Sequence, residues 1–154
     1  MAKVGRAARN ASLLRTEEIS ADKTIGAAET GELYFIQGGS ITSAITITLP
    51  AAKAGAYFKF LWVSTMDGAS ASVAIASASG ANTMRGVIQS VKNDTGADTD
   101  TTFATDNADE SNDTTITVDD DVDAGSYIEC VSDGTNWYAT GVVVGNTIGR
   151  VAFS

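Results

Sequence analysis

The chain has 154 residues, enough for one domain with its own core and too few for two ordinary domains. It contains no histidine and one cysteine, which excludes histidine-based catalytic triads, zinc sites built on histidine or on a cysteine cluster, and intrachain disulfides. The net charge of −9 disfavours nucleic-acid binding by the folded body, because an acidic surface repels phosphate.

The first segment of the chain is basic. Every charged residue before Glu17 is a cation, and small apolar residues lie between these cations. The small apolar residues favour a helix, but an isolated helix this short is only marginally stable in water, and Gly5 would interrupt it. We therefore expect residues 1–22 to form an extended arm that orders on a partner. The residues expected to bind that partner are Lys3, Arg6, Arg9, Leu13, Leu14 and Arg15.

From Lys23 onward, the apolar residues follow the two-residue period that is typical of β-strands. β-branched and aromatic side chains dominate these stretches, and they suit a pleated sheet better than a helix. The predicted strands in this half of the chain are residues 33–36, 41–49, 57–63 and 72–77. A further stretch, 84–91, is either a weaker strand or a short helix.

The second half of the chain contains a long acidic stretch. Residues 94–123 hold eleven aspartates and glutamates and no basic residue. Residues 93–113, which overlap this acidic stretch, are predicted to form a surface loop or an edge hairpin that Phe103 attaches to the body. Three closing strands are predicted at 114–118, 126–132 and 136–144. Between the last two, the dipeptide at 133–134 is Asp-Gly, a strong hairpin signal.

These elements predict an all-β protein with a turn every 8–12 residues. The expected architecture is an antiparallel β-sandwich or jelly roll with an extended N-terminal arm. The arm is assigned to residues 1–22, and the sandwich with its C-terminal tail to residues 23–154. No stretch of the sequence is long and apolar enough to predict a membrane span.

The alternation of Asp119, Asp121 and Asp123 invites comparison with a calcium-binding loop. An EF-hand needs glycine at its sixth position and glutamate at its twelfth, whereas this sequence has Ala124 and Cys130 there. A solvated turn between strands is therefore expected, with cation binding by the acidic stretch as the alternative.

The sequence offers no convincing catalytic group. Clustered carboxylates in a polar loop stay solvated and ionised, whereas a glycosidase needs one carboxyl of raised pKa in a cleft. Cys130 has Glu129 beside it, and a neighbouring acid raises the pKa of a thiol, so we expect an inert buried side chain. We therefore predict that the protein is not an enzyme and has neither a cofactor nor a metal site.

The large aromatic residues are expected to lie in the core or in an interface between subunits. Trp137 and Tyr138 are adjacent in a predicted strand, so their side chains must point to opposite faces. One of them is then exposed or lies in a subunit interface, with carbohydrate stacking as the alternative role. The residues assigned to the core or the interface are Tyr57, Phe60, Trp62, Trp137 and Tyr138.

Three stretches together resemble a β-module that is widespread in the virion proteins of tailed bacteriophages. They are Ile45–Pro50, a strand that ends in Leu-Pro; Ala54–Phe60, a small-residue loop leading into an aromatic strand; and Ser132–Tyr138, a closing hairpin. The resemblance covers residues 30–145 and brings no catalytic residues with it. It implies a structural virion protein, as in capsid decoration (cement) proteins and some tail-fibre proteins, which are commonly trimers.

The resemblance leads to an expected function. The chain is expected to bind the major capsid protein on the outer capsid surface as a homo-oligomer, with a trimer favoured, and to stabilise the shell. It would assemble in the host cytoplasm and use neither nucleic acid nor a membrane. The alternatives are a tail-fibre or head–tail adsorption component and a carbohydrate-binding module.

Overall fold

The structure is a computed structural model that describes residues 15–78, 83–93, 101–105, 113–147 and 149–154, with the backbone alone for 101–105. The strands are β1 (Thr16–Ile19), β2 (Lys23–Thr24), β3 (Leu33–Gln37), β4 (Ala44–Thr48), β5 (Tyr57–Ser64), β6 (Ser72–Ala76), β7 (Met84–Lys92), β8 (Thr101–Thr105), β9 (Thr115–Asp119), β10 (Tyr127–Ser132), β11 (Trp137–Gly145) and β12 (Val151–Phe153). Two short 3-10 helices are Ala27–Glu29 and Gly38–Ser40.

The larger sheet has seven strands in the order β1-β3-β5-β10-β11-β7-β8, with β10 at its centre. Its middle strands β5, β10 and β11 pair antiparallel. On one side β1 and β3 run parallel to β5, and on the other side β7 runs parallel to β11. β8 closes the far edge by pairing antiparallel with β7, which fits the predicted edge hairpin.

The smaller sheet has five strands in the order β12-β9-β6-β4-β2. β2, β4 and β6 are parallel to one another, and β9 pairs antiparallel with both β6 and β12. β1 belongs to the larger sheet and β2 to the smaller one, so the chain passes between the two sheets at residues 20–22.

The inner faces of the two sheets contribute to one core. The smaller sheet supplies aliphatic side chains such as Ile47, Val73 and Ile75, all fully buried. The larger sheet supplies most of the aromatic residues of the core: Tyr34 stacks on Phe60 with centroids 5.5 Å apart, Phe58 lies 5.7 Å from Trp137, and Trp62 is fully buried. The smaller sheet adds Phe153 of β12. Buried positions alternate with partly or fully exposed ones from Tyr57 to Val63 in β5 and throughout β10, as the two-residue period of a strand requires.

The all-β prediction is confirmed, and the two sheets are consistent with a sandwich. The expectation of antiparallel sheets is correct for only half of the strand pairings. Of the ten pairings between described strands, five are parallel and five antiparallel. Local alternation fixes which face a residue occupies, but it does not fix the direction of the neighbouring strand.

The predicted boundary of the arm at residue 22 is too late in the chain. Thr16–Ile19 forms β1 and pairs with β3, and the side chain of Ile19 is buried in the core. Lys23–Thr24 then joins the other sheet. Residues 1–14 of the predicted arm lie outside the described residues, so the body begins by Thr16 at the latest.

Substitutions of Trp62 test how much of the protein's stability depends on the aromatic core. The residue is fully buried, and its indole Nε1 has no hydrogen-bond partner among the described residues. We expect Trp62→Ala to lower the free energy of unfolding by ~3–5 kcal/mol because it leaves a large cavity. Trp62→Phe keeps most of the ring packing and removes the unpartnered N–H, so its loss should be less than half as large. Chemical denaturation monitored by circular dichroism measures both, and equal losses would contradict this account.

Candidate functional site

The exposed large apolar side chains of the described chain, Val63, Val87, Val131 and Tyr138, all lie on the outward side of the seven-stranded sheet. Its outward residues are largely apolar, which is unusual for a solvent-facing sheet surface. We call this surface the apolar outer face, and its principal side chains are Tyr57, Leu61 and Val63 of β5, Tyr127 and Val131 of β10, Tyr138 and Val142 of β11, Phe35 of β3 and Val87 of β7. Val131, near the end of the central strand β10, is 43% exposed and Tyr138 is 42% exposed.

Strand register arranges these side chains in rows across the sheet. Val131 lies opposite Tyr57 on one side and Tyr138 on the other. In the next apolar row, Tyr127 lies between Leu61 and Val142. Side chains that face each other directly across strands are close enough to touch, so the rows form a continuous surface.

Charge on the apolar outer face is balanced and largely internal. Lys59 and Glu129 lie between the two rows and form an ion pair of 2.7 Å, with the Lys59 ammonium also 4.7 Å from the centre of the Tyr127 ring. The hydrogen bond to Glu129 raises the pKa of Lys59 above its ordinary value. The other charged residues on the described face are Glu18 and Arg85, so two acids balance two bases.

The outward side of the five-stranded sheet is different in kind. Its outward side chains are alanine, serine and threonine, with Asp119 at one end. Thr46, Ala74 and Thr117 occupy one row across β4, β6 and β9. Such a surface is ordinary for a sheet that faces water. The large apolar side chains that point outward are therefore concentrated on one side of the molecule, the outer side of the seven-stranded sheet.

The aromatic residues singled out from the sequence divide between the core and this face. Phe60, Trp62 and Trp137 are fully buried, whereas Tyr57 is half-buried on the apolar outer face. Tyr138 is exposed and its hydroxyl donates to Asp133 Oδ2 at 3.0 Å. The prediction that Trp137 and Tyr138 point to opposite faces is confirmed. Sequence reasoning did not single out Phe35, Leu61 or Val131, whose place on this face depends on which strands are neighbours.

Arg15 is the one predicted partner-binding residue among the described residues. Its side chain forms an ion pair with Glu32 at 3.2 Å and donates to the Ala28 carbonyl oxygen at 3.3 Å. These contacts attach Arg15 to the body, although its side chain is still 66% exposed. Lys3, Arg6, Arg9, Leu13 and Leu14 lie outside the described residues.

A cluster of charged groups lies beside β1. Carboxylate oxygens of Glu17, Glu29 and Glu32 lie within 4.8 Å of one another. Lys23 Nζ donates to Glu17 at 2.8 Å and to Glu29 at 3.2 Å. The Lys23 ammonium therefore already supplies the positive charge that a metal ion would bring to these carboxylates. The hydrogen bond to Glu17 raises the pKa of Lys23, whereas the backbone N–H of Gly26 lowers the pKa of Glu29. The contacts make this cluster a structural ion-pair network.

The buried phenol of Tyr34 lies next to this network. Its hydroxyl donates to Glu32 Oε2 at 3.4 Å. Burial raises the pKa of Tyr34 far above its ordinary value, and the nearby carboxylates of Glu29 and Glu32 raise it further. The group is therefore a neutral hydrogen-bond donor at any physiological pH.

The other sequence-derived candidates have structural roles. Cys130 is fully buried, and burial raises the pKa of its thiol to about 12, with Glu129 adding to the effect. In the acidic turn, Asp120 pairs with Arg150 at 3.0 Å and Asp121 accepts a hydrogen bond from Asn146 at 2.9 Å. The Asp133 carboxylate accepts hydrogen bonds from the backbone N–H groups of Thr135 and Asn136, which holds the predicted hairpin turn together.

A cavity of about 260 Å³ lies at the end of the sandwich where β5 begins. The 3-10 helix Ala27–Glu29 forms one side of it and the loop between β4 and β5 forms the other. Half of its described lining residues are alanine, with Thr30, Pro50 and Gly55, and Lys53 is the one charged residue among them. These described lining residues include no pair of side chains suited to acid–base or nucleophilic catalysis.

Comparisons with known proteins found no match: no protein-family model, no curated protein and no solved structure matches this chain. Among the described residues, no helix is both long and apolar enough to cross a membrane.

A substitution of Lys23 tests how much the ion-pair network contributes to stability. We expect Lys23→Met to destabilise the protein at pH 7 by about 1 kcal/mol, because three carboxylates would then share only Arg15. Glu29 has a lowered folded-state pKa, so its contribution is present above its unfolded pKa and is lost as pH falls through the folded value. Lys23 has a raised pKa, so its contribution is lost only as pH rises through the alkaline range.

The measurement is the difference in melting temperature between the variant and the wild type at pH 7 and at pH 3. The difference should shrink at pH 3, because the contribution of Glu29 is lost as pH falls through its lowered folded-state pKa. Lys53→Met, at an exposed lysine beside the end cavity, is the matched control and should change stability little at either pH. A loss from Lys23→Met that is equally large at pH 3 would indicate lost packing and would contradict the electrostatic account.

Proposed function

We propose that this protein is a non-enzymatic structural component of a virion that assembles with copies of itself through the apolar outer face. The single observation that carries the proposal is that face: an exposed, charge-balanced apolar surface on the central sheet of an acidic chain. The described nucleophilic and acidic side chains support the non-enzymatic part, because those singled out above are buried, ion-paired or hydrogen-bonded within the turns.

The proposed occupant of the apolar outer face is a second copy of the same chain. A chain of net charge −9 repels its own copies, and this repulsion is weakest where the facing surfaces are neutral. The described part of the apolar outer face has no net charge. Because Lys59 and Glu129 are already paired, covering them would not leave a single buried charge without a partner. Tyrosine and other large apolar side chains are also enriched in such interfaces.

The place of this oligomer in a virion is proposed from the resemblance of residues 30–145 to tailed-phage virion modules. In this proposal the protein is a decoration or cement protein that binds the major capsid protein on the outer capsid surface after assembly in the host cytoplasm. A trimer would engage several capsid subunits at once, so modest contacts would add to a strong total attachment. The basic segment before Thr16 would contact the capsid, and the acidic body would keep neighbouring particles apart.

Two alternatives concern the same surfaces. A tail-fibre or head–tail adsorption component would use the same oligomer at a different attachment point. A carbohydrate-binding module would instead use the exposed ring of Tyr138, whose hydroxyl is held by Asp133. A glycan site would leave the protein monomeric, so the oligomeric state separates this alternative from the other two.

The first experiment measures the mass of the purified protein by multi-angle light scattering at tens of micromolar. We expect an oligomer, with a trimer favoured. Val131→Lys places a charge on the central strand of the apolar outer face and should shift the mass toward the monomer. The substitution makes the chain less negative, so a loss of association could not be attributed to greater overall repulsion.

Thr46→Lys is the matched control, since it adds the same charge to an exposed position on the other sheet. It should leave the mass unchanged, and circular dichroism checks that both variants fold. A wild-type monomer at tens of micromolar, or an oligomer that tolerates Val131→Lys, would overturn the proposed assembly.

A second experiment separates attachment from assembly. Deleting residues 1–14 leaves β1 complete, so the body should fold and keep its oligomeric mass. Co-sedimentation with capsid shells that lack this protein measures attachment. We expect the truncated protein to lose binding to these shells, because the basic segment is gone and the remaining net charge is more negative. Full occupancy of the shells by the truncated protein would contradict the role given to Lys3, Arg6 and Arg9.

A further inference from the structure

The ion pair between Lys59 and Glu129 lies in the middle of the apolar outer face. The two residues are directly opposite each other on the neighbouring strands β5 and β10. Along these strands, the apolar row that contains Val131 lies on one side of the ion pair, and the row that contains Tyr127 lies on the other. Any surface that covers both apolar rows therefore also covers the ion pair.

The ion pair leaves part of each charged group open to a further partner. The side chains of Lys59 and Glu129 are still 33% and 31% exposed. Lys59 Nζ donates to Glu129 Oε1 at 2.7 Å, but an ammonium can donate, and a carboxylate can accept, more hydrogen bonds than this contact uses. An apolar surface placed over these groups would remove their water and offer no partner, which costs free energy. A well-matched occupant therefore presents an acid to Lys59 and a base to Glu129.

A second copy of the chain presents such a pair, provided that the two copies are aligned in one way. When the copies are related by a rotation axis that runs along the gap between β5 and β10, acid and base alternate around the axis. Lys59 of each copy then faces Glu129 of its neighbour, whether the axis is two-fold or three-fold. A two-fold axis across the strands would instead place Lys59 over Lys59 and Glu129 over Glu129, and such like-charged contacts are strongly unfavourable.

The apolar rows fit the same alignment. Val131 of β10 lies opposite Tyr57 of β5, and Tyr127 of β10 lies opposite Leu61 of β5. A two-fold axis along the gap between these strands places Val131 over Tyr57 of the second copy and Leu61 over Tyr127 of the second copy. Each contact then joins an aliphatic side chain to an aromatic one. The alignment that pairs the charges thus also covers apolar side chains with apolar side chains.

We propose that Lys59 and Glu129 are the recognition pair of the self-association, with Lys59 of each copy bound to Glu129 of the next around an axis along β5 and β10. The inference rests on the proposed self-association and adds the contact that aligns the copies. An apolar face alone would bind many apolar surfaces, whereas this pair accepts only a surface that carries an acid and a base in the matching order. The pair therefore determines specificity for copies of the same chain.

A charge-swapped variant tests the proposal in the full-length protein. It combines Lys59→Glu with Glu129→Lys, so it keeps the net charge and an ion pair within the chain but reverses the order of acid and base. Swapped copies again alternate acid and base around the axis, so we expect the variant to fold and to reach the wild-type mass in light scattering. A swapped copy beside a wild-type copy places base against base and acid against acid. We therefore expect the two chains not to mix.

Co-expression with an affinity-tagged wild-type chain measures this mixing. The tagged chain should retain the untagged swapped chain several-fold less than it retains untagged wild type. The matched control combines Asp120→Arg with Arg150→Asp, which swaps an ion pair of 3.0 Å next to β9 and β12 of the other sheet. It should be retained as well as wild type. Equal retention of the swapped chain and wild type, or a folded swapped chain that stays monomeric, would overturn the proposal.

Two single variants keep the test decisive if the swapped chain does not fold. Lys59→Glu alone gives two acids at this position and Glu129→Lys alone gives two bases, so each variant by itself should be monomeric. Mixing the two brings acid against base across copies and should raise the mass above that of either variant. A mixture that keeps the mass of its components would contradict the recognition pair.

Failure of this inference is distinguishable from failure of the proposed function. A wild-type oligomer that Val131→Lys dissociates, together with free mixing of swapped and wild-type chains, would leave the self-association in place and remove only the contact between Lys59 and Glu129. A wild-type monomer at tens of micromolar would instead remove the self-association itself, and the recognition pair with it.

Discussion

The aromatic layer on the inner side of the seven-stranded sheet determines the rest of the structure. Tyr34 of β3 contacts both Phe58 and Phe60 of β5, and Phe58 contacts Trp137 of β11. Each of these rings is fully buried. Since alternate residues of a strand point to opposite sides, burying this set forces the residues between them outward. A one-residue shift of β5 would place Tyr57, Lys59 and Leu61 in the core.

The same constraint explains why the two outer faces differ. The residues that alternate with the buried positions of β5 and β10 are themselves mostly large and apolar, so the outward side of this sheet is largely apolar. Between the buried isoleucines and valines of β4, β6 and β9 lie threonine, alanine and serine, so the outward side of the other sheet is polar or small. The core does not require large outward residues on β5, β10 and β11. Their presence there is the observation on which the proposed association rests.

Much of the body could be predicted from the sequence because its strands carry strong local signals. The alternation in Ile45 and Ile47 and the Asp-Gly turn at 133–134 depend only on neighbouring residues, and both predictions agree with the structure. β1 was missed because its sequence, Thr-Glu-Glu-Ile, has one apolar residue and no alternation. Its strand conformation depends on pairing with β3, which is a tertiary contact.

The candidate surfaces depend even more on tertiary contacts. Val131 joins Tyr57 and Tyr138 only because β10 lies between β5 and β11, and local periodicity contains no information on strand order. The network of Glu17, Lys23, Glu29 and Glu32 similarly joins residues from both sheets' edges and a 3-10 helix. By contrast, the opposite orientations of Trp137 and Tyr138 follow from strand geometry alone, and this part of the site was predictable.

Because Cys130 is fully buried, the reactivity of its thiol reports the opening of the sandwich. The thiol lies in the central strand of the larger sheet and has no exposed surface, so a water-soluble alkylating reagent can reach it only when the sheets separate. When opening and reclosing are fast and alkylation is slow, the labelling rate reports the equilibrium fraction of molecules in which the sandwich is open at Cys130, without any introduced probe. The same reaction carried out on the proposed assembly would then compare the opening of a bound copy directly with that of a free one.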